Sequence, residues 1–149
     1  MSTINLSAII DNKLTTLSSK YGNLLLKLSI GMIYIWFGVL EFFPGLSPAE
    51  KLAGDTLSTL TLHMIDQEYL IWILAAMELA IGLGLVLWPK SKALIFVVFI
   101  HMMGTLTPMF FFPELVFNTP PFGFSIVGQY IMKNFVIISA LIMAYSKRS

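Results

Sequence analysis

The stretch Gly31-Met-Ile-Tyr-Ile-Trp-Phe-Gly-Val-Leu-Glu-Phe-Phe-Pro-Gly45 decides the fold of this chain. It is an apolar helix that ends at a Pro-Gly pair and carries one stripe of small and polar residues. Because a carboxylate on such a helix should not face lipid, the stripe predicts packing against other helices of the same chain. The stripe, whose spacing places it on one side of a helix, consists of Lys27, Gly31, Tyr34, Gly38 and Glu41.

The composition is typical of an integral membrane protein. Of the 149 residues, 57% are apolar and only 11% are charged, whereas a soluble domain carries roughly 25% charged residues. The absence of cysteine excludes disulfides, thiolate metal sites and cysteine nucleophiles. The net charge of +1 supplies no field that would attract nucleic acid, so we expect the lipid bilayer and no nucleic acid as a partner.

The length and the apolar segments predict about four membrane spans and little else. Proline ends the first three spans, and Pro108 is expected to kink the third. No cleavable signal peptide is expected, because charged residues interrupt the only apolar run near the N-terminus. The predicted division is a polar N-terminal segment, 1–22, and a membrane domain, 23–146, with spans at about 24–43, 69–88, 93–112 and 126–145.

A further helix is predicted in the connection between the first and second spans. Ser47-Pro48-Ala49-Glu50 offers an N-cap, a proline at the first helical position and a capping-box glutamate. Leucines and Met64 then recur at helical spacing, which predicts an amphipathic helix over 48–64, at the membrane surface or over the mouth of the bundle. The predicted fold is therefore all-α, an integral membrane four-helix bundle with an amphipathic outer helix between spans 1 and 2.

Charge asymmetry predicts the orientation of the chain. Four spans put one set of basic residues on a single side, which consists of Lys13, Lys20, Lys90, Lys92, Lys147 and Arg148. The other side is mostly acidic and carries Glu50, Lys51, Asp55, Asp66, Glu68 and Glu114. Since basic residues favour the cytoplasmic side, we expect cytoplasmic N- and C-termini in a bacterial inner (plasma) membrane.

Glu78 and His101 are candidate site residues near the middle of two different spans. Small residues beside Glu78 allow a close helix contact, and Thr105 shares a helix face with His101. Counted inward from opposite sides, Glu78 and His101 lie at the same depth. They are interpreted either as a proton-handling or ligand-binding pair, or as a hydrogen-bonded pair that fixes helix register.

Glu41 and Lys133 form a second candidate pair, nearer the outer side. Gln129 lies one turn above Lys133 on the same predicted face. An ion pair between Glu41 and Lys133 would lower the cost of placing charges in hydrocarbon, which is at least ~2.5–3.5 kcal/mol per charge. The pair is interpreted as a structural salt bridge or as the polar mouth of a site for a small ligand or a quinone head group.

The sequence matches no strong motif for other kinds of functional site. His63 lies near Asp66 and Glu68, but the spacing matches no strong ligand motif, so no metal site is expected. The sequence contains no Gly-rich phosphate loop, catalytic triad or basic-aromatic patch. We therefore expect no intrinsic cofactor and no independent catalytic activity.

Five short motifs within residues 24–145 carry a resemblance to a known family. They are Tyr34–Gly45, Ser47–Glu50, Glu78–Gly82, Gly104–Pro108 and Gly128–Asn134. These motifs resemble those of the DoxX-like membrane proteins, in the branch with the YkgB/RclC-type inner-membrane proteins. Members often carry lysine in the position of Glu41, and this departure favours a structural Glu41–Lys133 pair.

The resemblance implies a four-helix membrane bundle and a role as an accessory subunit of a quinone-linked redox or stress-response complex. A quinone, lipid or proton site would be lined by Glu41, Glu78, His101, Gln129 and Lys133. Partners would be a larger membrane protein complex or further copies of the chain. Two alternatives stay open: a small transporter or channel for protons or a weak acid, and a purely structural subunit of a larger complex.

Overall fold

The computed structural model describes residues 6–47 and 49–146, which are predominantly helical. The prediction of Pro48 as the first helical residue therefore lies outside the described residues, as do residues 1–5 and the basic pair Lys147 and Arg148. The elements, in chain order, are α1 (Leu6–Glu41), α2 (Glu50–Leu60), α3 (Gln67–Leu87), α4 (Lys92–Gly104), α5 (Pro108–Phe111), α6 (Pro113–Val116), β1 (Phe117–Thr119), β2 (Gly123–Phe124) and α7 (Ile126–Ser146).

Four helical stretches are long and apolar enough to cross a membrane. This confirms the predicted helical class and the predicted number of span-length helices. Their bounds are Leu6–Glu41, Gln67–Leu87, Lys92–Phe111 and Ile126–Tyr145.

α1 is longer than the predicted first span. Its 36 residues join most of the N-terminal segment to the apolar stretch as one helix. No proline interrupts it, and Gly22 is the only helix-weakening glycine before the stripe begins. From Leu6 to Lys20 every side chain is exposed, so this half of α1 projects beyond the packed part of the chain.

The predicted stripe is the buried side of α1. Its five members are all buried, together with Ile30. α1 packs most extensively against α3, with the two helices antiparallel, so that Gly31 meets Gly82 and Gly38 meets Ala75. Gly31 and Gly38 permit this close approach, because backbone atoms of α3 lie where their side chains would be.

The third span-length stretch is broken where proline was expected to kink it. α4 ends at Gly104, and α5 begins with Pro108 as its first residue. Proline has no N–H to continue the helix, and the Gly104 carbonyl instead accepts from the backbone N–H and the hydroxyl of Thr107, at 3.0 and 2.7 Å. The break leaves Thr105 and Pro108 beside α7 and α2.

The predicted capping box at the start of α2 is wrong. The helix begins at Glu50 with Ala49 as its N-cap residue, and neither makes a side-chain cap at that end. Glu50 Oε2 instead accepts from the backbone N–H of Gly45 at 2.6 Å, which ties α2 to the turn that ends α1. The Ser47 hydroxyl is buried without a hydrogen-bond partner among the described residues. α2 packs on α3 and α5 through a narrow face that includes Leu52 and Gly54.

The connection between the third and fourth predicted spans contains a hairpin, which the sequence analysis did not predict. β1 and β2 pair antiparallel with Phe117 opposite Phe124. Val116, just before β1, is fully buried and packs with Leu52 and Ile131 in a small core beneath α2. The hairpin thereby fixes the start of α7 against α2.

The larger core lies toward the opposite ends of the helices. We call it the apolar cluster, and its fully buried members include Leu85, Val98 and Leu141, from α3, α4 and α7. Ile30 contributes from α1. The span-length helices are therefore joined by hydrocarbon contacts at the end away from α2.

Candidate functional site: a cavity with a polar end

A cavity of about 260 Å³ lies between the helices, on the α2 side of the apolar cluster. All four span-length stretches contribute to its lining, and α2 covers it with side chains such as Leu52 and Leu57. Most of the lining is apolar, and the ionisable groups are few. Apolar enclosure with a small number of polar groups is the usual character of a site for a small organic ligand.

Three side chains contact one another in series at the deep end of the cavity. The Tyr34 hydroxyl lies 2.7 Å from Nδ1 of His101, and the two rings pack with centroids 5.3 Å apart. Nε2 of His101 lies 3.4 Å from Oε1 of Glu78. The expected approach of Glu78 and His101 is thus present, and Tyr34 from the α1 stripe completes it.

When Glu78 is a carboxylate, the contacts of His101 select one arrangement of protons for its neutral ring. A hydroxyl that donates to Nδ1 leaves the proton on Nε2, which then points at the glutamate. The chain therefore runs from Tyr34 through His101 to Glu78, and it ends on a group that can hold a proton. Such an arrangement can fix helix register, bind a polar head group or relay a proton.

Thr105, also predicted as a site residue, joins the lining from the α4–α5 break. Its hydroxyl donates to the Met102 carbonyl at 2.7 Å and accepts from Nδ2 of Asn134 at 2.9 Å. Asn134 is 9% exposed, so this bond satisfies an amide that water scarcely reaches. The contact connects α4 to α7 beside the His101 chain.

The predicted ion pair between Glu41 and Lys133 is wrong. The ammonium of Lys133 lies over the rings of Phe37 and Tyr130, with distances of 4.1 and 4.8 Å to their centroids. Phe37 is one helical turn from Glu41 on α1, so the ammonium is held one turn deeper than the carboxylate. Among the described residues, the close contact between a carboxylate and a basic side chain is that of Glu78 with His101.

Gln129 does not line the cavity, although it was predicted to share the face of Lys133. Its side chain is exposed. The face of α7 that lines the cavity runs along Val127, Ile131 and Asn134, with Lys133 at its edge. Tyr130, three residues before Lys133, lines the cavity, and Gln129, four residues before it, does not, so the helical spacing alone was misleading.

Two carboxylate oxygens at the cavity lack hydrogen-bond partners among the described residues. They are Oε2 of Glu41 and Oε2 of Glu78. Glu41 is 6% exposed as a residue, and the Glu78 side chain is 12% exposed. A buried acceptor without a donor costs free energy. These two oxygens are therefore positions in the cavity where a ligand can supply a hydrogen-bond donor.

Sequence reasoning missed Asn134 and the contact of Tyr34 with His101. Both residues carried a signal. Tyr34 is in the buried stripe of α1, and Asn134 is an amide in an apolar span, where polar side chains face protein rather than lipid.

No family model, curated protein or solved structure matches this chain. The resemblance to DoxX-like proteins therefore remains a prediction. Within residues 6–47 and 49–146, no group of three or more metal-ligating side chains of the kind that could hold a metal ion is present.

The polar groups of the cavity are separated from the other end of the helices. Below His101 lies the apolar cluster, and Lys27 of the stripe lies beyond it along α1. A ligand can therefore reach the Tyr34–His101–Glu78 chain from the α2 side or from between the helices, and a route through the apolar cluster would need the helices to move apart.

Proposed function

We propose that this chain is an integral membrane four-helix bundle that binds the head group of a small apolar molecule in its cavity. The favoured ligand is a quinone, and the protein would serve as an accessory subunit of a membrane redox or stress-response complex. The observation that supports this proposal is the cavity of about 260 Å³. Its walls are apolar, and at one end Tyr34, His101 and Glu78 provide polar groups.

The apolar walls and the polar end of the cavity indicate the class of ligand. A lipid-soluble ring with a polar edge can place its apolar body against side chains such as Leu57 and Met77 and its polar edge against His101. The chain offers no recognisable redox centre, so electrons would come from a partner subunit. The resemblance to DoxX-like proteins supports the same assignment.

The proposed membrane placement puts α2 and the hairpin on the outer side and the chain termini in the cytoplasm of a bacterial inner membrane. The charge bias of the connecting segments supports it. α2 would then lie over the outer mouth of the cavity, and the apolar cluster would close the cytoplasmic side.

The test is to extract the full chain from its membrane in lipid discs and to quantify small molecules that co-purify, by liquid chromatography. We expect a quinone in near-stoichiometric amount. Ala53→Phe should abolish retention because Ala53 lines the cavity, whereas Ala76→Phe, at an exposed position of α3, should leave it unchanged. Absence of any retained molecule above the lipid background would refute the proposal.

A second candidate is a proton or weak-acid transporter, and the contacts of His101 with Tyr34 and Glu78 favour it. The apolar cluster opposes it, since apart from Tyr34 its buried members among the described residues have no group that would carry a proton onward. Proteoliposomes with an internal pH dye distinguish the two. Proton flux from a free homo-oligomer would support transport, and an intact complex without flux or ligand would leave a purely structural subunit.

A further inference from the structure

Three ionisable side chains face the cavity without forming ion pairs with one another. Glu78 and Lys133 are near enough to interact electrostatically, yet neither carboxylate contacts the ammonium directly. The Lys133 ammonium is held by aromatic rings, and one oxygen of Glu78 and one of Glu41 stay unpaired among the described residues. The cavity thus presents both an unused donor group and unused acceptors.

A hydroxyl group fits this combination better than a bare carbonyl does. A hydroxyl donates one hydrogen bond and accepts others, so it can bridge a carboxylate and an ammonium. A carbonyl oxygen accepts only. It would satisfy Lys133 but leave the glutamate oxygens unpaired and place a further partial negative charge beside them.

We propose that the polar end of this cavity selects a ligand with aromatic hydroxyl groups, so that it binds the hydroquinone form of a ring in preference to the quinone form. One hydroxyl donates to Oε2 of Glu78 and accepts from Lys133, and Glu41 accepts from a hydroxyl nearer the α2 side. This inference rests on the proposed function, because it names the form of the ligand that the same site takes.

The geometry permits these bonds without rearrangement of the helices. The terminal torsion of a glutamate side chain is broad, so Oε2 of Glu41 can turn toward a ligand while the backbone stays in place. Glu78 needs no rotation, because Oε1 contacts His101 and Oε2, which has no partner among the described residues, is left for the ligand. The Phe37 and Tyr130 rings that hold Lys133 line the same cavity and supply flat apolar surface for an aromatic ligand.

The test compares three probes of nearly equal size at one pH, with the full chain in quinone-free lipid discs. They are a decyl-substituted dimethoxy-methylbenzoquinone, its hydroquinone under anaerobic conditions, and the dimethyl ether of that hydroquinone. Since a hydrogen bond to a charged group is worth tenfold or more in affinity, we expect the hydroquinone to bind at least about ten-fold more tightly than either other probe.

The outcomes separate this inference from the proposed function. Equal binding of all three probes, or tighter binding of the quinone, would overturn the hydroxyl preference and leave the quinone-type site standing. Failure of every probe to bind would overturn both. Preference for the hydroquinone over both other probes would support the inference, since the quinone lacks the hydroxyl donors without added bulk and the ether lacks them while keeping the aromatic ring.

Variants assign the preference to particular atoms. Glu78→Gln should reduce the hydroquinone-to-quinone ratio to within about three-fold, because the amide replaces one acceptor with a donor that suits a carbonyl. Glu41→Gln should reduce it less. Glu114→Gln alters an exposed carboxylate outside the cavity and should leave the ratio at the wild-type value. An unchanged ratio in the folded Glu78→Gln protein would contradict the assignment to Glu78.

Discussion

At the scale of single residues, His101 is held from both sides. Tyr34 comes from α1 and Glu78 from α3, so the position of the His101 ring on α4 depends on the packing of all three helices. A hydrogen bond between groups withdrawn from water is worth about 1 kcal/mol net, and its orienting effect on a histidine can matter more than that energy.

We expect Tyr34→Phe to release Nδ1 of His101 and to destabilise the folded chain by about 1 kcal/mol. The ring nitrogen signals of His101 should then move toward a mixture of tautomers, as measured by ¹⁵N NMR. The chain has two histidines, so His63, which contacts Ser58, provides an internal reference.

Tyr69→Phe is the matched control, because Tyr69 is 62% exposed. It should leave both the stability and the His101 signals unchanged. If Tyr34→Phe lowers stability but leaves the tautomer of His101 as it was, the hydroxyl does not set the proton arrangement.

Thr105→Val removes the acceptor of Asn134 with little change in shape. The buried amide would lose its partner, which costs on the order of 1–3 kcal/mol. Thr107→Val is the control, since that hydroxyl bonds only to the Gly104 carbonyl in its own turn. Thermal unfolding in detergent should show the larger loss at Thr105, and equal losses would mean that the contact with Asn134 contributes nothing measurable.

At the scale of elements, the contact of α1 with α3 depends on the absence of side chains. A Cβ on Gly82 would lie 2.8 Å from the Gly31 carbonyl oxygen and 2.7 Å from the Ile35 nitrogen, and both are backbone atoms that cannot turn aside. The two helices would have to separate, and the chain of Tyr34, His101 and Glu78 spans that contact.

Gly82→Ala should therefore destabilise the chain by roughly 1–3 kcal/mol, the usual cost of overpacking. Gly22→Ala, in the exposed half of α1, should do the opposite by about 0.5–1 kcal/mol, since alanine is the better helix former. Chemical unfolding followed by circular dichroism measures both. A neutral Gly82→Ala would show that the helices can separate without cost.

The spacing of residues along single helices predicted much of this arrangement. It failed where the position of a group depends on how far a long side chain extends. The stripe of α1 and the Glu78–His101 approach follow from spacing and depth, which are properties of single helices. The position of the Lys133 ammonium does not follow from spacing, because the long side chain can place it at several depths along the helices. In the structure it lies over the rings of Phe37 and Tyr130. The hairpin was also missed, since short strands among Pro and Phe residues carry little periodicity.

At the scale of the whole molecule, the proposed topology has a direct test because the chain has no cysteine. Thr119→Cys in the hairpin and Lys90→Cys between α3 and α4 lie at exposed positions at opposite ends of the helices. In intact bacterial cells a membrane-impermeant maleimide should label the first and spare the second until the cells are opened. The reverse pattern would invert the proposed orientation.

The apolar cluster below the cavity has an electrical consequence. In the proposed membrane placement, a charge that enters from the outer side and stops at Glu78 crosses about half of the bilayer, where the apolar cluster begins. The full transmembrane potential is worth about 2.3 kcal/mol per elementary charge per 100 mV, so such a charge would feel about 1 kcal/mol per 100 mV. Occupancy by an ionised ligand would thus follow the energisation of the cell, whereas occupancy by a neutral one would not.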